Sequence, residues 1–148
     1  MGRKRYYIAY GSNLSVIQMS IRCPDAKVAG TAILKDWKLV FRVHATIEPC
    51  KGRTVPVVIW EISRSDEDNL DCYEGYPHYY TKEMLEVSLN DKKVDAMVYI
   101  MTGGRSVQKP SCSYYNTLDN AYRYFGFNSA ILKKALREAR EETEHGLR

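Results

Sequence analysis

The chain predicts an α+β domain in which mostly antiparallel strands curl into a sheet or barrel and helices cover the openings. Two observations carry this expectation. Apolar residues alternate with period two through most of the chain and switch to helical spacing after residue 12, in the middle and at the end. Strict strand–helix alternation is absent, as are GxGxxG and GxxxxGK[ST], which disfavours a doubly wound nucleotide fold. A length of 148 residues with 45% hydrophobic content suits one domain, 1–148, around one core.

Tyr6 to Tyr10 (YYIAY) predicts the first strand, stopped by Gly11-Ser12-Asn13. Ser12 and Asn13 are both good helix N-caps, so this turn would aim free backbone N–H groups at one spot. Such a spot suits an anion or an oxygen becoming one. Leu14, Val16, Ile17, Met19 and Ile21 predict a short helix whose apolar stripe packs the turn onto the core, closed by Cys23-Pro24-Asp25. From Ala26 to Val43 the pattern gives two strands or one long bent strand, with a bulge at Lys35-Asp36. His44 to Arg53, holding Pro49 and Gly52, predicts a polar connection, and Thr54 to Ile62 a strand buried on both faces.

Ser65, followed by Asp66, Glu67 and Asp68, predicts a helix N-cap and an acidic first turn, with Leu70 and Tyr73 facing inward and Gly75 and Pro77 ending the helix. Tyr80 to Leu89 and Val94 to Met101 form a hairpin about Asn90-Asp91, closed by Gly103-Gly104. Two helices finish the chain. One runs from Cys112 to Phe125 behind Pro110-Ser111 and stops at Gly126; the other runs from Ser129 to Glu144 behind Asn128.

A net charge of +4 gathers at the ends, in Arg3-Lys4-Arg5 and in Lys133, Lys134, Arg137 and Arg140. Mixed acids make the second group a solvated helix face, so no nucleic-acid partner is expected. No run approaches the ~20 apolar residues that span a bilayer, so no membrane partner is expected either. Cys23, Cys50, Cys72 and Cys112 lack CxxC spacing and no signal peptide precedes the first strand, which predicts reduced thiols in a cytoplasm. His44, His78 and His145 stand singly, so no metal site is expected. Phe125 and Phe127, taken as exposed, leave room for a homodimer.

Twelve tyrosines suggest the walls of a pocket. Glu74 is the leading candidate for chemistry. It ends a short helix among tyrosines, where a partly dry setting favours the neutral carboxyl and moves it toward proton transfer near neutral pH; the plain alternative is a surface residue at a helix end. Ser12 has no Gly-x-Ser-x-Gly elbow around it, so it is a cap or a backbone donor before it is a nucleophile. Tyr79, Tyr80, Tyr114 and Tyr115 fit core and rim, His78 a loop, and Arg42 and Arg123 are cations able to pair a substrate carboxylate.

Tyr10-Gly11-Ser12-Asn13-Leu14 after a strand, Glu74-Gly75 some sixty residues on, and Pro110-Ser111-x-x-Tyr114 before a helix together resemble the γ-glutamylcyclotransferase-like superfamily, in order from Tyr6 to about Leu136. The resemblance implies a small mixed, mostly antiparallel β-barrel with flanking helices. It implies conversion of a γ-glutamyl compound to 5-oxoproline with release of an amine, using neither metal nor cofactor. It puts the catalytic glutamate at Glu74, the substrate loop at Tyr10, Gly11, Ser12, Asn13 and Leu14, and a pocket tyrosine at Tyr114. The Tyr76–Tyr80 loop is the natural place to choose among an amino acid, an ε-lysyl amine or another amine as leaving group. Rival readings are a non-catalytic binding or regulatory protein with the same cavity, and an interaction module built on the basic N-terminus.

Overall fold

The computed structural model describes residues 5–146, with side chains to residue 143, so Arg3 and Lys4 of the basic start and the side chain of His145 lie outside the described residues. Five strands form one sheet in the order β2-β3-β1-β5-β4. These are β1 (Arg5–Ala9), β2 (Lys27–Arg42), β3 (His44–Ile62), β4 (Tyr80–Leu89) and β5 (Lys92–Met101). All ladders are antiparallel except β1 with β5, where Tyr6 and Tyr7 pair Ala96 and Met97 in parallel. The helices are α1 (Val16–Arg22), α2 (Arg64–Glu74), α3 (Cys112–Phe125) and α4 (Ser129–Gly146).

This is the α+β class that the alternation predicts, but the sheet is not a closed barrel. β2 and β4 remain its two edges. Curling brings those edges into side-chain contact: a Cβ on Gly30 of β2 would lie 2.7 Å from a methyl carbon of Leu89 on β4. The absence of a side chain at Gly30 is what lets the sheet wrap so far.

One wrapped face encloses the core. Val55 to Trp60 is buried throughout, as a continuous apolar strand run demands, and Ile8, Phe41, Ile47 and Met97 join it. Leu118 and Tyr122 of α3 and Leu132, Ala135 and Ala139 of α4 close that core from outside the sheet. Each buried Ile, Leu or Phe is worth about 1.5–3 kcal/mol, so these contacts fix where the short β1 delivers the chain.

Four local expectations need correction. His44 to Arg53 is not a connection but the first half of β3: Val43, at φ 70°, makes a tight turn that pairs Arg42 with His44. Backbone ladder bonds decide this, and they do not depend on the polar side chains that suggested a loop. Pro49 and Gly52 mark instead the bulge where β3 loops out opposite Asp36, whose carboxylate accepts from the Gly52 N–H at 2.9 Å. The bulge at Lys35-Asp36 is where the pattern put it.

On α1 the stripe turns out to be rotated: Met19 is buried, while Ile17 and Ile21 are 75% and 78% exposed. The caps also sit elsewhere. Ser15 caps α1, accepting from the Gln18 N–H, and Ser12-Asn13-Leu14 form a separate 3-10 turn. Ser63, not Ser65, caps α2, in a reciprocal box with Asp66. Phe125 and Phe127 are partly buried against the core rather than exposed; Tyr124 beside them is 69% exposed. The hairpin, with Asn90 and Asp91 both at positive φ, and α3 between Ser111 and a left-handed Gly126 follow the expected pattern. No described helix is long and apolar enough to cross a membrane.

Candidate active site

β1 ends against the core and hands the chain to Gly11, so Tyr10, Gly11, Ser12 and Asn13 reach one wall of a cavity of about 180 Å³. Opposite them stands Glu74. It is the last residue of α2, held there because Gly75 adopts φ 65° and its N–H and that of Tyr76 return to the carbonyls of Cys72 and Asp71. Tyr7, Tyr10, Tyr73, Tyr79, Tyr80, Tyr99 and Tyr114, with His44, supply the remaining walls. No Lys or Arg lines the cavity among the described residues.

Burial in this aromatic surround pushes the Glu74 carboxyl up to about 7, against the partial opposition of the Arg22 charge. Asn13 Nδ2 donates to Glu74 Oε1 at 3.3 Å and to the Tyr7 hydroxyl at 2.9 Å. The Asn13 carbonyl accepts from the Trp60 indole N–H at 3.0 Å, and the residue is only 2% exposed. Burial also lowers the His44 pKa, so this imidazole is neutral at pH 7; its Nδ1 shares a 2.9 Å hydrogen bond with the Tyr79 hydroxyl.

The tyrosine hydroxyls divide into two sets. Tyr10 donates to the Tyr99 carbonyl at 2.6 Å, Tyr80 to the Ala45 carbonyl at 2.7 Å, and Tyr99 to Asp71 Oδ1 at 2.6 Å, so their hydrogens are spent inside the protein. Tyr73 shares a bond with Ser12 Oγ at 2.9 Å. Tyr7 and Tyr114, by contrast, are acceptors. Tyr114 takes the Ala45 N–H at 3.0 Å, while Tyr7 takes Asn13; neither has an acceptor for its own hydrogen among the described residues. Gly11 makes the Tyr114 contact feasible, because a Cβ there would come within 3.1 Å of its hydroxyl.

The structure therefore brings together Glu74, Tyr10, Gly11, Ser12, Asn13 and Tyr114, and separates Leu14, whose side chain is buried in the core. Tyr79 and Tyr80 are cavity wall, whereas Tyr115 packs on Phe41 away from it. His78 is exposed, Arg42 is paired with Glu48 at 2.6 Å and Arg123 with Asp119 at 3.1 Å, which leaves none of the three at the site. Arg22, Tyr7, His44 and Tyr99 were not foreseen. Only the tyrosine count pointed toward two of them; Arg22 arrives through the fold of α1, with no mark in the local sequence.

Fold and site together define a small α+β domain with one buried carboxyl, Glu74, in an aromatic pocket. The family model "Gamma-glutamyl cyclotransferase, AIG2-like" matches residues 7–119, and the chain belongs to that family, as an enzyme of the cyclotransferase type. It is similar to gamma-glutamylcyclotransferase of Mus musculus, at 32% identity over 76% of this chain and 67% of the relative. The Homo sapiens protein of the same name is 31% identical over 73% of this chain and 64% of its own length. Thus the chain spans about two thirds of these mammalian relatives. A solved structure named gamma-glutamyl cyclotransferase superposes with a TM-score of 0.80 at 26% identity, covering 90% of this chain and 86% of that one.

Proposed function

We propose that the cavity binds a γ-glutamyl amino acid or γ-glutamyl-amine and closes it to 5-oxoproline, releasing the amine. The observation that carries this reading is Glu74, a carboxyl half-ionised near neutral pH, set across a small cavity from the Gly11–Asn13 loop. The described residues place no nucleophile and base in contact there, and this reaction needs none: the substrate's own α-amine is the nucleophile.

The protein's tasks are to fold the substrate and to move protons. Glu74 as carboxylate accepts a proton from the α-nitrogen, which then forms a bond to the γ-carbonyl carbon. The carbonyl oxygen becomes an oxyanion. Tyr114 is the donor suited to it, since the Ala45 N–H already polarises its hydroxyl and its hydrogen is uncommitted. Collapse breaks the bond to the departing nitrogen, and Glu74 returns a proton there. Two protons in all pass from the α-ammonium to the amine that leaves as an ammonium ion. In this reading the loop seats Tyr114 through the close approach at Gly11, and Asn13 holds Glu74 in place of gripping substrate.

The test is 5-oxoproline release from a panel of γ-glutamyl amino acids and γ-glutamyl-amines. Glu74→Gln should lower turnover by about 10²–10⁴-fold with an unchanged circular dichroism spectrum. Near-normal turnover in that variant overturns the assignment of Glu74; ligand binding without 5-oxoproline from the unaltered protein would make it a binding protein.

A further inference from the structure

We infer that Arg22 is a positioning residue of this site: its guanidinium fixes which way the Asn13 side-chain amide faces, and through it the donor and charge presented to Glu74. The inference rests on Glu74 as the proton-transfer group proposed above. Asn13 has one end that only accepts and one that only donates, and at 2% exposure no solvent can substitute for either partner. Arg22, a donor at every nitrogen, hydrogen-bonds Asn13 Oδ1. The opposite end, Nδ2, is then compelled to face Glu74 and Tyr7. Turned over, the amide would set its oxygen against the Glu74 carboxylate and its NH₂ against Arg22; the Tyr7 hydroxyl, donor and acceptor alike, does not choose between the two orientations.

A basic residue in the last turn of a helix is ordinarily a favourable partner for the helix dipole and nothing more. Arg22 departs from that pattern in its packing. The guanidinium carbon lies 3.4 Å from the Tyr73 ring centroid, one residue before Glu74, and the Arg22 carbonyl accepts from Asn69 Nδ2 at 3.1 Å. These two contacts join the end of α1 to α2. The other groups around Glu74 bring no competing charge near pH 7. Tyr7 of β1, Tyr10 just beyond it, Tyr80 of β4, Tyr99 of β5 and Tyr114 of α3 are held protonated by burial, and His44 of β3 is held neutral. Tyr73 of α2 offers a ring and a hydroxyl. Arg22 is the charge that opposes the burial of the carboxyl.

Two readouts test this in the full chain: the pH dependence of kcat/KM for 5-oxoproline release, and direct titration of the Glu74 carboxyl by carbon-13 NMR, its signal assigned by loss in Glu74→Gln. Arg22→Met should raise the Glu74 midpoint by about one pH unit or more, with a roughly tenfold loss of kcat/KM per unit on the acid side. Arg22→Lys, which keeps the charge, should restore most of the midpoint. An unchanged midpoint in a folded Arg22→Met protein overturns the inference, whatever happens to kcat. Should Arg22→Met fail to fold, Arg22→Gln serves, because it keeps a side-chain donor for Asn13 Oδ1 while removing the charge; a midpoint that does not rise overturns the inference equally. The NMR titration needs no turnover. A shifted midpoint in a protein that releases no 5-oxoproline would therefore sink the proposed reaction and leave the role of Arg22 standing.

Discussion

Glu67, Asp71 and Glu74 occupy one face of α2, at spacings of four and three residues, yet its two ends treat a carboxylate in opposite ways. At the upper end Glu67 is bridged by Arg5 and by Lys82, both at 2.7 Å, and Lys82 also reaches Asp71 at 2.8 Å. At the lower end Glu74 has one amide bond of 3.3 Å and a cation held off by Asn13. Identical chemistry becomes a structural ion-pair network in one place and, in the function proposed above, a proton carrier in the other. The difference lies in the strand opposite: β4 presents Lys82 to the first pair, and β1 and the residue after it present Tyr7 and Tyr10 to the last.

The largest effect that sharpens this contrast is on stability against pH. Glu74 has a folded-state pKa of about 7, raised above its ordinary 4.5. Its neutral form favours the fold fully below the ordinary value, and that contribution is lost as pH rises through about 7. Glu74→Gln, always neutral, should therefore unfold like the unaltered protein near pH 5 and be more stable by as much as about 3 kcal/mol near pH 8.5. Urea denaturation at the two pH values measures it; a difference independent of pH would show Glu74 to be solvated.

Removing Lys82 should make the upper end resemble the lower one. Lys82→Met leaves two poorly exposed carboxylates short of a cation, although Glu67 keeps Arg5 and Asp71 keeps the Tyr99 hydroxyl. The expected loss is about 2 kcal/mol, below the full cost of breaking a buried pair. It should appear in urea midpoints at pH 7, and shrink in a background carrying Glu67→Gln and Asp71→Asn, where the carboxylates are already gone. Equal loss in both backgrounds would assign it to lost packing of the lysine stem on Tyr76, whose ring centroid is 4.5 Å from Nζ.

How much of this was legible follows the same division. Glu74 could be picked out because a helix stop, Gly75, and a crowd of tyrosines are local signals, and the Gly11 turn because a strand ends there. The strand at His44 to Arg53 was hidden by Pro49 and Gly52, since a ladder leaves no trace in side-chain polarity. Ile17 and Ile21 suggested the wrong inward face because period alone cannot choose between two faces when Met19 and Ile17 compete. Lys82 and Arg22 were beyond reach: Lys82 meets Glu67 across the packing of β4 on α2, and Arg22 meets Tyr73 and Asn13 through the packing of α1 on α2, contacts that no local pattern announces.

The smallest change isolates the scaffold from the chemistry. Ser63 opens α2 by accepting from the Asp66 N–H at 3.1 Å while Asp66 Oδ2 accepts from the Ser63 N–H, also at 3.1 Å. Ser63→Ala removes the first of these bonds and the contact with Asp25, and should cost about 1 kcal/mol of stability by thermal or urea unfolding. The lower end of α2 is fixed independently, by Gly75 and by the Arg22 stack on Tyr73. The pH profile of 5-oxoproline release should thus keep its midpoint while the protein melts earlier. A moved midpoint would mean that α2 shifts as one body, and that the two ends are less separable than their partners suggest.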